Sequence, residues 1–419
     1  MRALICLISF LSTAIPIIGS ADSYLLNPKQ ILDVETGKLI RSKVLVTDGK
    51  IMAISNSFKA SDDLKVINLP DLTLLPGLMD AHVHLIGNTE LKGMERLSES
   101  SYLSTIYGVK NAQDTLMAGF TTVRNVGASN YSDVALKQAI ANQAVLGPTL
   151  LVSGPPLGIT GGHCDNNTLP YDFKHGDDGV ADGPWEIRKK VRENRKYGAD
   201  LIKFCATGGV LSKNTNLGTT QYTADEMEAI VDEAHSRDMK VAAHAHGLDG
   251  IKAAILAGVD SVEHSSFIDE ETIELAKTKG VFLSMDVYVS DFILGEGVKQ
   301  GIPEYSLNKE RQVGKKQREN FQKAVKANAK IVFGTDAGIY PHGKNARQFK
   351  YMVQWGMTPL QAIQAATINT ASLFGVSNIG KIKESFEADI IGVKGNPLED
   401  ITSLEAVEFV MNNGIVIKQ

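Results

Sequence analysis

Cysteine is scarce. Of three residues, Cys6 lies in an apolar N-terminal stretch, which leaves only Cys164 and Cys205. Two cysteines are too few for a disulfide framework. The expectation is two free thiols, with pairing left open in an oxidising compartment. Long apolar runs are also missing: after the first twenty positions no stretch reaches eighteen residues, so a soluble mature chain without stable membrane insertion is expected. No basic block occurs; 43 basic and 48 acidic residues are dispersed through the chain, for a net charge of -5, which argues against nucleic acid as a partner. Gly208-Gly209 follows a strand-like run but lacks the further glycines of a dinucleotide-binding loop. A Gly-x-Ser-x-Gly elbow is absent as well, so Ser265 and Ser266 beside His264 are poor nucleophile candidates.

What is present begins with a leader. Arg2, the apolar run Ala3 to Ile18 and the small residues Gly19-Ser20-Ala21 read as a secretory signal peptide over residues 1–21. The expected location is therefore secreted or periplasmic. Residues 22–75 read as short strands, with Asp48-Gly49 as a hairpin turn. Residues 380–419 have the same texture, with a second turn at Asn413-Gly414. Between them, residues 76–379 alternate strand and helix. Apolar strands end near His84, Val126, Ser153, Phe204, His244, His264, Met285 and Thr335. Eight strand–helix units in this length argue for an α/β fold, a (β/α)8 TIM barrel, with a small β-sandwich domain built from both chain termini. The helix Pro359 to Leu373 would close the outer ring. Cys164 to Pro184, rich in aspartate and glycine, reads as a long loop at the barrel mouth.

The chain is organised around Asp80-Ala81-His82-Val83-His84. On a strand, i and i+2 share a face, so both imidazoles point the same way. The polar residues at the other strand ends extend the set: Lys203, His244, His264 and Asp336. In a barrel the C-terminal strand ends converge, and four histidines with a carboxylate suit a divalent ion such as zinc or manganese. His246 lies two residues beyond His244; His244 closes the apolar run and is the preferred ligand. Lys203 sits between Ile202 and Phe204, apparently inward. An ammonium beside cations is electrostatically wrong unless its pKa falls or it is converted to an anion. Pairing with Glu263 is the alternative.

These segments carry a resemblance. Asp80-Ala81-His82-Val83-His84, Lys203, His244-Ala245-His246-Gly247, Glu263-His264 and Gly334-Thr335-Asp336-Ala337 resemble the amidohydrolase superfamily, in its imidazolonepropionase and prolidase-like branch. Gly161 to Asp165, Lys203 to Gly209, Ser284 to Tyr288 and Gly338 to Gly343 are closely similar to zinc-dependent arginine/lysine carboxypeptidases. The resemblance covers essentially the whole mature chain. It implies two Zn2+ ions bridged by a carboxylated Lys203 and a hydroxide. His82, His84 and Asp336 would hold the buried ion, and His244 and His264 the more exposed one. It also suggests a homo-oligomer.

The implied reaction is attack of the bridging hydroxide on the C-terminal peptide bond of dipeptides or short peptides, with Asp336 moving the proton. His163, His246 and Tyr288 are candidates for stabilising the oxyanion or holding the substrate carboxylate. The resemblance favours release of arginine or lysine, and the acidic supply of Asp165, Asp172, Asp177, Asp178, Asp286 and Asp291 allows it physically. The alternatives are an Xaa-Pro dipeptidase, a carboxypeptidase for hydrophobic residues, a cyclic amide hydrolase and a zinc-binding protein without activity.

Overall fold

The computed structural model describes residues 23–58, 64–91, 93–173 and 176–419; the expected signal peptide lies outside them. The N-terminal segment supplies β1 (Tyr24–Leu32), β2 (Leu39–Ile40), β3 (Lys43–Thr47), β4 (Lys50–Ser55) and β5 (Lys65–Pro76). The hairpin at Asp48-Gly49 forms as expected. Thr47 faces Lys50 across an antiparallel pair, and both turn residues take positive φ, +52° and +77°. That is the two-residue turn whose twist matches the strands it joins, and glycine takes its second position without a steric penalty.

Eight parallel strands make the barrel: β6 (Leu78–Val83), β7 (Phe120–Asn125), β8 (Thr149–Val152), β9 (Leu201–Cys205), β10 (Lys240–Ala245), β11 (Ser261–His264), β12 (Phe282–Ser284) and β13 (Ile331–Val332). β6, β7 and β8 form one hydrogen-bonded arc, and β9 to β13 the other. A few backbone hydrogen bonds close the ring at each gap. Leu157 N donates to Lys203 O at 2.8 Å across the β8–β9 gap, and Ala81 N donates to Phe333 O at 2.7 Å across the β13–β6 gap. Barrel strands are buried on both faces, which is why they read as continuous apolar runs and not as alternating ones. Every residue of β6, β7, β9 and β11 is buried.

The outer helices are α1 (Ser101–Met117), α2 (Ser132–Ala141), α3 (Pro184–Tyr197), α4 (Ala224–His235), α5 (Leu248–Ala257), α6 (Glu270–Lys279), α7 (Val289–Glu296), α8 (Glu304–Lys326), α9 (Arg347–Gln354), α10 (Pro359–Gln364) and α11 (Thr370–Phe374). Their ends follow local chemistry. Thr223 and Glu226 form a reciprocal capping box on α4, and Gly198, Gly258 and Gly280 end α3, α5 and α6 in the left-handed conformation. The single helix expected over Pro359 to Leu373 is instead split by a π turn at Ala365–Asn369. At the widened turn Ala365 O accepts from Thr370 Oγ1 at 2.6 Å and from Phe333 N at 3.1 Å, which ties the helix to the end of β13. Among the described residues no helix is long and apolar enough to cross a membrane.

The C-terminal segment adds β14 (Ile390–Lys394), β15 (Phe409–Asn412) and β16 (Ile415–Lys418). These join the N-terminal strands in the order β16-β15-β14-β5-β1-β3-β4, with β2 on β1. The β4 edge comes back to the chain entering β14: Ile51 N donates to Phe386 O at 2.9 Å and Ala388 N to Gly49 O at 2.8 Å. The small β-sandwich domain of both termini thus curls around its own core, which includes Leu26, Val44, Ile67, Leu74, Ile390 and Phe409. β5 leads directly into β6 through Gly77, so the same polypeptide run that seats the β-domain delivers the histidine strand to the barrel.

Candidate metal centre

β6 ends at Val83, with His82 buried and His84 half-exposed at the mouth. Their ring centroids are 5.3 Å apart. Asp336 comes from the turn after β13 and meets both: its Oδ1 is 3.5 Å from His82 Nε2 and 3.3 Å from His84 Nε2. The three form one potential ligand group; His244, His246 and His264 form a second, and His264, Asp286 and Asp336 a third that joins them. Two metal-sized groups therefore share one mouth.

Backbone conformation sets this arrangement. His264, Ser265 and Asp336 have φ of +67°, +49° and +57°. Non-glycine residues rarely adopt this region, and such positions cluster where function over-determines geometry. Gly338, at φ +118°, runs directly beneath His84; a Cβ there would lie 2.5 Å from His84 O. Only glycine lets the chain after Asp336 pass so close.

Three of the rings, those of His82, His246 and His264, are held from behind. His82 Nδ1 is 2.9 Å from Glu263 Oε2. Arg124 donates to Glu263 Oε1 at 2.8 Å, and Ser261 Oγ donates to the same oxygen at 2.5 Å. His264 Nδ1 is 3.0 Å from Asp286 Oδ1, which also accepts from Gln317 at 2.7 Å. His246 Nδ1 is 2.7 Å from Ser266 Oγ. Partners of this kind fix the tautomer and aim the other nitrogen at a ligand. Asp80 is not in this set. Its carboxylate accepts from Thr335 Oγ1 at 2.6 Å and Asn345 Nδ2 at 2.9 Å, binding β6 to the chain after β13.

The donor chemistry suits divalent ions. Burial, with help from neighbouring imidazoles, holds His244 and His246 well below the ordinary histidine range, so both are neutral donors at pH 7. Burial also lowers His84. His82 is pressed down by burial and by Lys203, but its hydrogen bonds to Asp336 and Glu263 outweigh them and leave it raised. Burial raises Asp336, yet its bonds to His82 and His84 prevail and keep it an anion. Lys203 is buried on β9 and lines the cavity. Burial pulls its amine down to about 8. Among the described residues it makes no ion pair, so the alternative of a Lys203–Glu263 bridge is not formed; Glu263 is engaged by Arg124 instead.

The other predicted residues divide. His163 stands over the site, its ring centroid 4.2 Å from that of His244. Its Nδ1 is buried without a hydrogen-bond partner among the described residues, and burial lowers its pKa to about 3. His246 is in the second ligand group beside His244, so the structure does not separate the two. Tyr288 is set apart: it is not in the cavity wall, and its hydroxyl accepts from Arg347 at 3.2 Å.

The expected free thiols are not found. Cys164 and Cys205 form a disulfide with a Cα–Cα distance of 5.9 Å. After β8 the chain crosses the end of β9, where Cys205 N donates to Leu157 O at 2.9 Å, and this brings the 164 loop over the strand end. A separation of 41 residues hid that proximity. The bond fastens the loop carrying His163 two residues from Lys203.

The acidic supply also differs from expectation. Asp165 caps backbone N–H groups of its own loop, Asp178 accepts from Asn130 N, Asp291 pairs with Arg318 at 2.8 Å, and Asp286 holds His264. Missed altogether were Glu99, Arg96 and Glu310, which line the cavity from a short turn and from α8. They sit in no motif, and helical periodicity alone gives no sign that a polar residue faces inward. The cavity is about 410 Å³, with the histidines on one side and apolar groups such as Val210, Leu211, Val289, Ile293 and Val313 on another.

Comparison with known proteins agrees with this geometry. The model of the amidohydrolase family matches residues 73–418. The ochratoxinase of Aspergillus niger is 34% identical over 414 residues, covering 91% of this chain and 84% of that protein. The crystal structure of a Xaa-Pro dipeptidase with methionine bound in its active site superposes with a TM-score of 0.88 at 36% identity, covering 95% of this chain and 100% of the other. A prolidase complexed with N-methylphosphonate-L-proline gives 0.87 at 29% identity, with 95% and 100% covered. The chain belongs to the amidohydrolase family, in its prolidase-like branch.

Proposed function

We propose that the protein is a binuclear zinc peptidase that hydrolyses the C-terminal peptide bond of dipeptides or short peptides, with arginine or lysine as the favoured leaving residue. The observation that carries this reading is the convergence of His82, His84 and Asp336 with His244, His246 and His264 at one cavity mouth, around a buried Lys203. His82, His84 and Asp336 would hold one ion, His244 and His264 the other. Lys203, as its carbamate, would lie between them. A neutral amine adds to CO2 and loses one proton in forming that carbamate, and burial favours the neutral amine. When bound, a pair of divalent ions makes a nucleophile from water at neutral pH and polarises the scissile carbonyl.

The chain's own groups do the rest. Asp336 reaches the centre of the site as an anion and is placed to take a proton and hand it to the leaving amine. His163, neutral and with a free ring nitrogen over His244, offers one hydrogen bond to a developing oxyanion or to the substrate carboxylate. Arg96 supplies positive charge in the cavity wall for the same carboxylate. The Cys164–Cys205 bond supports a secreted or periplasmic location, since such bonds persist in oxidising compartments.

A second reading has its own support. The apolar side of the cavity, with the methionine-bound and proline-analogue relatives, favours release of an apolar residue or proline. Steady-state rates on Ala-Arg, Ala-Lys, Ala-Leu, Ala-Met and Ala-Pro, with zinc present, decide between them. The proposal expects the highest kcat/KM for Ala-Arg or Ala-Lys. Fastest turnover of Ala-Pro replaces it with a prolidase, and hydrolysis of none of the five removes the peptidase reading.

A further inference from the structure

α7 and α8 pack against each other along one side of the cavity. Glu310, Val313 and Gln317 fall on one face of α8 at i, i+3 and i+7. Val289 and Ile293 face them from α7, and all five line the cavity. The helices approach closely because residue 314 is glycine: a Cβ there would sit 2.9 Å from Ser290 Oγ. Glu310 is 2% exposed and takes no part in the chemistry assigned above. Among the described residues its carboxylate accepts one hydrogen bond, from Ser290 Oγ to Oε1, and Arg318 compensates its charge only in part.

The cations that could neutralise it are occupied. Lys309, its neighbour in α8, donates to Gly209 O at 2.9 Å and Ser212 O at 2.7 Å. Arg318 pairs with Asp291 and donates to Val287 O. From α6, Glu270 is taken by Lys323. From the strand ends, Asp286 and Asp336 face Glu310 with negative charge. A buried carboxylate among apolar side chains, without a cation of its own, costs stability unless a ligand completes it.

We infer that Glu310 reads the leaving side chain: its carboxylate, set among Val289, Ile293 and Val313, pairs with the cationic head of an arginine or lysine whose methylene stem lies along those apolar groups. The inference rests on the peptidase reading of the site. Arginine and lysine combine an apolar stem with a charged end, and this wall offers both surfaces. It also accounts for an apolar cavity in an enzyme with a basic preference. Burial, the largest cause, raises the Glu310 carboxyl, and its hydrogen bond from Ser290 and the charge of Arg318 do not offset it, so a cation arriving beside it is favoured.

The test uses the metal-loaded protein and the free amino acids L-arginine and L-leucine, followed by titration calorimetry. At pH 7 arginine is expected to bind at least about tenfold more tightly than leucine. Glu310→Gln retains the volume and the Ser290 contact but not the charge; it should abolish the preference. In parallel, kcat/KM for Ala-Arg should fall at least about thirtyfold relative to Ala-Leu. The parent protein gives a second measurement that needs no variant. Absence of an arginine preference over leucine in the parent, or persistence of that preference in Glu310→Gln, overturns the inference. If arginine binding follows Glu310 but no dipeptide is cleaved, Glu310 stands as the side-chain reader and the peptidase reading alone falls.

Discussion

Glu263 Oε2 lies 2.9 Å from His82 Nδ1, and both side chains are buried. The carboxylate holds the imidazole so that Nε2 faces Asp336 and the mouth. Burial opposes its ionisation, but Arg124 and His82 keep it well below the usual carboxylate range. Glu263→Gln removes the charge with little change in volume. It also offers an N–H to either His82 or Arg124, both of which need an acceptor. Loss of such a partner typically costs tenfold to a hundredfold in metal affinity or activity. The expected result is zinc loss at lower chelator concentration than in the parent, measured by elemental analysis after dialysis. Equal retention would remove Glu263 from the role of orienting His82.

A substitution at Asp336 tests the proposed metal-holding and proton-transfer roles separately. Asp336→Asn leaves an oxygen near His82 and His84 and loses the proton acceptor. Turnover should fall by at least about a hundredfold, while zinc per chain stays largely as in the parent. Unchanged turnover would sink the general-base assignment. Full loss of metal would instead make Asp336 chiefly a ligand.

Much of this centre was legible because strand periodicity and barrel topology fix direction. His82 and His84 at i, i+2 reveal a shared face, and the apolar runs before Lys203, His244 and His264 reveal where their strands end. The residues that escaped notice act through tertiary contacts. Arg124 sits inside an apolar strand, and only the barrel brings it to Glu263. Glu310 lies on a charged helix where nothing local distinguishes it from its solvated neighbours. Cys164 and Cys205 meet only because a long loop folds back over β9. The aspartates of that loop looked available for substrate because backbone capping cannot be read from composition; Asp165 alone accepts from Gly161 N at 2.8 Å and Asn166 N at 2.8 Å.

The disulfide has a measurable consequence. A closed loop of this length restricts the unfolded chain, and the chain-entropy relation gives about 4 kcal/mol for a separation of 41 residues. Cys164→Ser should lower the thermal midpoint, and reductant should lower the parent to a similar value while leaving the variant unchanged. His163 and Lys203 flank the two bonded positions, so KM is expected to rise as well. A variant as stable as the parent, with the same KM, would show that the loop keeps its place without the bond.

Asp133 gives a pH signature distinct from the metal centre. It lies at the start of α2, fully buried, where Oδ2 accepts from Gly154 N at 3.0 Å and Asn125 Nδ2 at 3.1 Å, and Oδ1 from Val134 N at 2.9 Å. Those bonds favour the anion, but burial prevails and raises the carboxyl to about 6 from 3.8. Between these two values the folded state holds the proton more tightly than the unfolded state. Stability contributed by this group is therefore fully present below about pH 4, is lost as pH rises through about 6, and stays lost above. The shift corresponds to a loss on the order of 3 kcal/mol at pH 7. Asp133→Asn cannot ionise. It loses one acceptor at every pH, because its amide meets Val134 N donor to donor, but it escapes the pH-dependent part. Urea unfolding of both proteins at pH 4 and pH 7 isolates the effect. The stability of the variant relative to the parent should improve by about 2 kcal/mol between the two conditions, because a small part of the loss is already present at pH 4. A difference that does not change with pH would mean that Asp133 ionises at its ordinary pKa and that its three hydrogen bonds offset burial in full.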